Sequence, residues 1–182
     1  MEPSELERFE ATVLPHLDAA YTLARYLTRN DHDAQDVVQD AYLRALKYFG
    51  GFRGEGEGGG AASGAARAWL LAIVRNTAHT WRRRHRADAL ATEFDEELHS
   101  EAVAGDHPAA ALDRDTTRES VRQALDRLSP EFREVIVLRE LEGLSYKEIG
   151  DVTGVPIGTV MSRLSRARLR LQEALCAGKK GE

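Results

Sequence analysis

The chain of 182 residues is short of several things, and each shortage excludes something. It has one cysteine, Cys176, so neither a disulfide scaffold nor a cysteine-rich zinc site is available, and a reducing compartment fits. Aromatics make up 7% of the residues, so a core built from this chain is mainly aliphatic. No apolar run approaches the ~20 residues that span a bilayer, so direct membrane insertion is not expected. The first residues, Met1-Glu2-Pro3-Ser4-Glu5, are acidic, which is wrong for a signal peptide, and the expected location is cytoplasmic. Strand-like alternation bounded by turn signals is missing as well. The histidines His16, His32, His79, His85, His99 and His107 form no HExxH pair and join no cysteine cluster, so they read as surface residues. No Walker loop or nucleophile elbow occurs, and the glycine-rich stretch lacks the Lys-Ser/Thr of a phosphate cradle. An enzyme is therefore not expected. Neither is a catalytic residue, a metal site or a cofactor.

Charge of one sign is absent locally rather than globally. The net charge is −5, which on its face speaks against a nucleic-acid partner. Residues 67–86, however, carry six arginines and no acid. Residues 157–170 hold Arg163, Arg166, Arg168 and Arg170, again with no acid. Between the two lies the acidic stretch 87–126, with 11 acids against 3 bases. Two basic surfaces on a net-acidic chain read as two local anion contacts.

What is present is helical periodicity. Residues 5–28 place Leu6, Phe9, Val13, Leu17, Tyr21, Ala24 and Leu27 on one stripe, with Pro15 as a kink or a break. Asn30-Asp31-His32-Asp33 is a turn with a helix N-cap, followed by a helix over about 34–49. On that helix Val38, Ala41, Tyr42, Ala45 and Phe49 form the inward stripe, while Asp36, Gln39, Asp40, Leu43 and Lys47 lie on the other side. Gly50–Gly64 reads as a loop, because so many glycines make regular structure entropically costly. A helix over about 65–86 follows. It buries Leu70, Ile73, Val74 and Thr77 and exposes Arg75, Asn76, Arg82, Arg83, Arg84 and Arg86. Trp69 and Trp81 on this helix either stack on unpaired bases or belong to the core. Residues 87–112 are acidic, Ala-rich and interrupted by Gly105-Asp106-His107-Pro108, the composition of a flexible linker.

A helix resumes over about 113–128, and Ser129-Pro130 then supplies an N-cap followed by proline at the first helical position. The stretch Ser145–Arg168 is the most specific feature of the chain. Ser145 caps a short helix ending near Thr153. Gly150 is small where two helices approach, Gly154 permits a turn, and Val155 plugs its corner. The helix from Ile157 to about Leu175 has Val160, Leu164, Ala167, Leu171 and Leu175 on one stripe and Thr159, Ser162, Arg163, Arg166 and Arg170 on the opposite one. This is the pattern of a helix-turn-helix whose second helix enters a DNA major groove. Arginine can pair with guanine edges or phosphates, and Ser or Thr can bond to either. The fold expected is all-α: two small helical domains, residues 1–90 and 113–182, joined by a flexible acidic linker, residues 91–112.

The two halves together resemble the extracytoplasmic-function sigma factors of the sigma-70 family. Asp33-Ala34-Gln35-Asp36-Val37-Val38-Gln39-Asp40-Ala41-Tyr42-Leu43-Arg44-Ala45 resembles the segment that binds core RNA polymerase. Phe52-Arg53-Gly54-Glu55, Ala68-Trp69-Leu70 and Ile73-Val74-Arg75-Asn76 resemble the −10 recognition region. Leu125-Asp126-Arg127-Leu128-Ser129-Pro130-Glu131-Phe132-Arg133 resembles the start of the second domain. Gly143-Leu144-Ser145-Tyr146-Lys147-Glu148-Ile149 and Gly158-Thr159-Val160-Met161-Ser162-Arg163-Leu164 resemble the −35 helix-turn-helix.

The resemblance implies a sigma factor that directs promoter-specific transcription initiation. Its implied partners are core RNA polymerase, promoter DNA and an anti-sigma factor. It further implies core contacts by Asp36, Gln39, Asp40 and Leu43. The implied −10 contacts are Phe52, Arg53, Arg75, Asn76, Arg82, Arg83 and Arg84, with Asn76 at a position that reads a flipped base. The implied −35 contacts are Thr159, Ser162, Arg163, Ser165, Arg166 and Arg170. The rival reading is a free-standing helix-turn-helix repressor or activator, which has no need of the Asp36–Asp40 segment.

Overall fold

Pro15 decides how the chain begins. The computed structural model describes residues 3–52, 59–92 and 112–178. Helix α1, Pro3–Val13, stops just before the proline, which has no N–H to continue the ladder. A single 3-10 turn, Leu14–His16, carries the chain past it into α2, Leu17–Thr28. That turn, with three residues per turn instead of 3.6, rotates the apolar stripe. Phe9 and Val13 are buried as the periodicity predicts, but Leu6 and Leu17 are 43% and 44% exposed. Beyond the turn the inward face of α2 is Ala20, Leu23, Ala24 and Leu27. His16, expected at the surface, is buried in the same turn.

Helix α2 ends at Arg29, whose left-handed φ of 64° lets its N–H reach the Arg25 carbonyl at 2.9 Å. The Asn30 Oδ1 then accepts from the Asp33 N–H at 3.1 Å. With that cap in place α3 runs from Asp31 to Tyr48, so Asp31-His32-Asp33 form its first turn rather than a separate one. Helix α3 buries Ala34, Val37, Val38, Ala41 and Ala45, and the half-buried Tyr42 donates its hydroxyl to the Val13 carbonyl at 3.2 Å.

Helix α4, Gly59–Thr92, exceeds the expected 65–86 at both ends. The end of the glycine-rich stretch is helical from Gly59 onward, while residues 53–58 lie outside the described residues. A helix already nucleated extends at small cost per residue, and alanines at 61, 62, 65 and 66 favour it. At the other end the Ala87-Asp88-Ala89-Leu90-Ala91 run has the same effect. Leu70, Leu71, Val74, Thr77 and Ala78 of α4 are buried against α2 and α3.

The second domain starts with α5, Leu112–Asp126. Pro130 opens α6, Pro130–Ile136, but Ser129 makes no side-chain cap: its Oγ is buried without a hydrogen-bond partner. The Ser129 carbonyl serves instead, accepting from the Arg133 N–H at 2.9 Å. Helix α6 widens into a π turn, Val137–Leu141, closed by the Glu142 N–H on the Val137 carbonyl at 3.1 Å. Val135, Ile136, Val137 and Leu138 are buried in succession, which makes this the central element of the domain. Helices α7, Tyr146–Thr153, and α8, Ile157–Gly178, complete it. Among the described residues there is no strand, and no helix is long and apolar enough to cross a membrane.

The two domains pack against each other, α2 on α6 and α4 on α7. The buried Arg133 sits at the join. Its guanidinium donates to the carbonyls of Leu125 at 2.9 Å and of Asp126 and Leu128 at 2.8 Å, and across the interface to Tyr26 at 3.2 Å. A cation among the last carbonyls of two helices satisfies orphan acceptors and complements both dipoles. Burial lowers the Arg133 guanidinium from its ordinary value.

Candidate nucleic-acid and polymerase interfaces

The helix-turn-helix is held by local features that set the attitude of α8. Ser145 and Glu148 form a complete capping box at the start of α7. The Ser145 Oγ accepts from the Glu148 N–H at 3.2 Å, and a Glu148 carboxylate oxygen accepts from the Ser145 N–H at 2.7 Å. Gly154 turns the chain with φ 71°. A Cβ on Gly150 would stand 3.0 Å from the Val155 carbonyl oxygen, tighter than ordinary contact, so any other residue would push the turn away from α7. Val160, Leu164 and Ala167 bury one face of α8. Met161, Ser162, Ser165, Arg166 and Arg170 are exposed on the outer side, and Thr159 and Arg163 are half-buried beside them. The Ser162 hydroxyl donates to the Thr159 carbonyl at 3.0 Å. Arg170 lies 3.7 Å from Glu173, and Arg168 is bridged to Glu140 at 2.7 Å. Arg163 and Arg166 have no ion-pair partner among the described residues, which leaves them for an external anion.

Helix α4 divides its arginines between two fates. Asn76, Arg83, Arg84 and Arg86 are exposed, as the pattern predicts. Arg82 is half-buried, and burial together with the neighbouring Arg86 lowers its guanidinium from the ordinary value. Arg75 departs from the expectation. It turns into the domain interface, with its side chain 20% exposed, and pairs there with Glu134 of α6. The Glu134 side chain is 2% exposed, and His79 of α4 approaches the same carboxylate oxygen at 3.4 Å. Burial alone would push this carboxyl up. The hydrogen bonds from His79 and Arg75, and their charge, outweigh it and hold the group below its ordinary value. One turn or more N-terminal on α4, Arg67 pairs with the Glu142 carboxylate at 3.0 Å and also donates to the Glu142 carbonyl. These cross-domain partners are 55 to 75 residues apart and have no local sequence signature.

The aromatic residues of the first domain serve its core. Phe52 and Trp69 have ring centroids 4.8 Å apart, and Phe49 lies 6.1 Å from Phe52 and 5.3 Å from Phe9. Trp81 stacks on His85 at 3.6 Å. Phe52, expected at a −10 contact, is thus a half-buried packing residue of the first domain. Arg53 lies outside the described residues.

On α3, Asp36, Gln39 and Leu43 are exposed, Leu43 by 61%, and Asp40 is half-buried in a 3.0 Å pair with Arg44. A groove of ≈ 440 Å³ runs beside this face, lined by Leu17, Tyr21, Gln35, Val38, Gln39 and Tyr42. Burial pushes the Tyr42 phenol up to about 12. Leu17, assigned to the core by its spacing, is the residue the sequence reading missed here. The signal that could have found it was Pro15, which resets the register before α2.

Comparison with known proteins places both halves. The family model described as Sigma-70 region 2 matches residues 12–87, and that described as Sigma-70, region 4 matches residues 118–171. The RNA polymerase sigma-H factor of Pseudomonas aeruginosa is 34% identical over 177 residues, 92% of this chain and 86% of that protein. The ECF RNA polymerase sigma factor SigE of Mycolicibacterium smegmatis is 32% identical over 181 residues, 96% of this chain but only 64% of that relative's length. Among solved structures, the sigma factor RpoE in complex with the anti-sigma factor NepR from Bartonella quintana is similar, with a TM-score of 0.74 and 32% identity. The likeness covers 93% of this chain and 97% of that one.

Proposed function

The chain belongs to the sigma-70 family of RNA polymerase sigma factors, in its extracytoplasmic-function branch, and from that premise we propose how its surfaces divide the work of initiation. It acts as a non-catalytic, cytoplasmic subunit that carries core RNA polymerase to specific promoters. The observation that carries this reading is the pair of family regions, 2 and 4, in order on one chain. A free-standing repressor would need only the second.

Asp36, Gln39, Asp40 and Leu43 form the polymerase-docking face. Its exposed carboxylates and leucine suit a basic helical partner with a small apolar centre. Leu17 and the groove beside Gln39 extend that face. Asn76, Arg82, Arg83 and Arg84, with Arg75 once it leaves Glu134, follow the −10 strand, and Phe52 and Arg53 border it. Thr159, Ser162, Arg163, Ser165, Arg166 and Arg170 read the −35 element, with Arg166 and Arg163 carrying most of the contact.

An anti-sigma factor completes the assignment, since the similar sigma factor RpoE has been solved with the anti-sigma factor NepR. Recovery of such a protein with the tagged chain from native cells is the expected result, and recovery of polymerase alone contradicts it. Size-exclusion chromatography with purified core polymerase tests the docking face. The wild-type chain co-elutes with core, and Asp36→Ala with Gln39→Ala is expected to elute apart from it. Co-elution undiminished by the double substitution contradicts the assignment.

A further inference from the structure

The face that α8 turns away from the core is divided along its length. Thr159, Arg163, Arg166 and Arg170 line one flank. Ile157 and Met161 line the other, one turn apart, 48% and 53% exposed. At 3.6 residues per turn, Met161 and Arg166 stand about 140° apart around the helix. Between the flanks lie Gly158, Ser162 and Ser165, all exposed.

Nothing inside the protein requires glycine at position 158. The residue is helical, without the positive φ of Gly143 and Gly154, and a Cβ on it would meet nothing within 4 Å. Glycine in a helix gives up stability relative to alanine, and it serves where a backbone must come close to a ligand. A helical side chain leans toward the N-terminus, over the residues three and four before it. By that rule Met161 leans over Gly158 and Ile157. Two apolar side chains hemmed in by serines and arginines are too small a patch for a stable protein partner, which covers about 800 Å² a side. In a DNA major groove, among donors and acceptors, the apolar group on offer is the C5 methyl of thymine. A thioether makes no strong hydrogen bond, so the methyl is the partner its chemistry fits.

We propose that Met161, over the bare backbone of Gly158 and beside Ile157, forms a pocket for the C5 methyl of one −35 thymine and so makes that base a determinant of promoter choice. This contact rests on the reading of α8 as the −35 helix, and it goes beyond that reading by naming the base.

The test uses holoenzyme reconstituted from core polymerase and the full chain. It first selects −35 sequences from promoters randomised over that element. The wild type is expected to enrich thymine at one position that Met161→Ala leaves unselected. Uracil is then placed there, which removes the methyl and keeps both the O4 acceptor and the pairing with adenine. Wild-type holoenzyme is expected to lose about fourfold in affinity, the worth of one methyl group taken out of water. Met161→Ala is expected to bind the thymine duplex as weakly as the wild type binds the uracil one, and to ignore the exchange. Met161→Leu keeps the preference, as does Leu169→Ala, which alters an exposed leucine eight residues further along α8. Gly158→Ala fills the approach without meeting a neighbour in the protein, so affinity is expected to fall several-fold while the melting temperature holds or rises. A wild type indifferent to uracil at every selected position, or Met161→Ala with the wild type's preference, overturns the methyl contact and leaves the −35 reading standing. Gly158→Ala that binds as tightly as the wild type overturns the pocket. Holoenzyme that selects no −35 sequence overturns the promoter reading, and the methyl contact with it.

Discussion

Glu134 is a carboxylate with almost no access to water, held by an arginine and a histidine of the first domain's helix α4. Its folded value lies below its ordinary one. The stability it contributes is therefore present above the unfolded carboxyl value of about 4.3 and is lost as pH falls through the folded value. Thermal melts taken between about pH 6 and pH 3 should show the wild type losing more stability on acidification than Glu134→Gln. Equal pH slopes would mean that the Glu134 pairing adds nothing to the contact between the domains. Arg166, by contrast, is exposed and has no ion-pair partner among the described residues. Arg166→Ala is expected to weaken binding to a −35 duplex by about 1–3 kcal/mol, with the fold unchanged, if the guanidinium reads a base edge. A titration by anisotropy at fixed salt measures it. Residues of this second kind were legible in the sequence, because exposure on a helix face follows from spacing. Arg75 was not, because its partner lies 59 residues away and nothing in either local pattern announces the pairing.

At the scale of elements, the boundaries that hold are those with local chemistry behind them. Asn30 stops one helix and starts another, and Asn30→Ala is expected to cost about 1 kcal/mol in urea unfolding. A Cβ on Gly150 would stand 3.0 Å from the Val155 carbonyl oxygen, a backbone atom that cannot swing aside as a side chain would. Gly150→Ala is therefore expected to cost about 1–3 kcal/mol and to tilt α8, which would lower −35 affinity as well. Chemical denaturation with duplex binding on the same preparation checks both effects. The two helices and the turn of the helix-turn-helix were readable for this reason: the Ser145 cap, the turn glycine and the first part of the buried stripe, Val160, Leu164 and Ala167, are all local, while Leu171 and Leu175 beyond them are only half-buried. The stripe of the first helix was misread beyond Pro15, since one 3-10 turn shifts the register and moves Leu17 from the core to the groove beside Gln39. The glycine-rich stretch was misread where it joins α4, since the propensity of single residues gives way once a helix is nucleated.

For the whole molecule, the sequence disclosed two basic helices on a net-acidic chain and the two-domain division. It did not disclose that the domains meet. That contact uses acids of one domain against bases of the other, so charges that look like separate solvated faces in the sequence neutralise each other in the fold. Net acidity suits a subunit meant to reach DNA only with polymerase, because nonspecific affinity grows with every phosphate contact. The most direct test of the central claim is run-off transcription with purified core polymerase on genomic promoter fragments. The account predicts discrete transcripts that require the chain, fall sharply with Asp36→Ala and Gln39→Ala, and weaken with Arg166→Ala. Core polymerase that gives the same transcripts with or without the chain would contradict it.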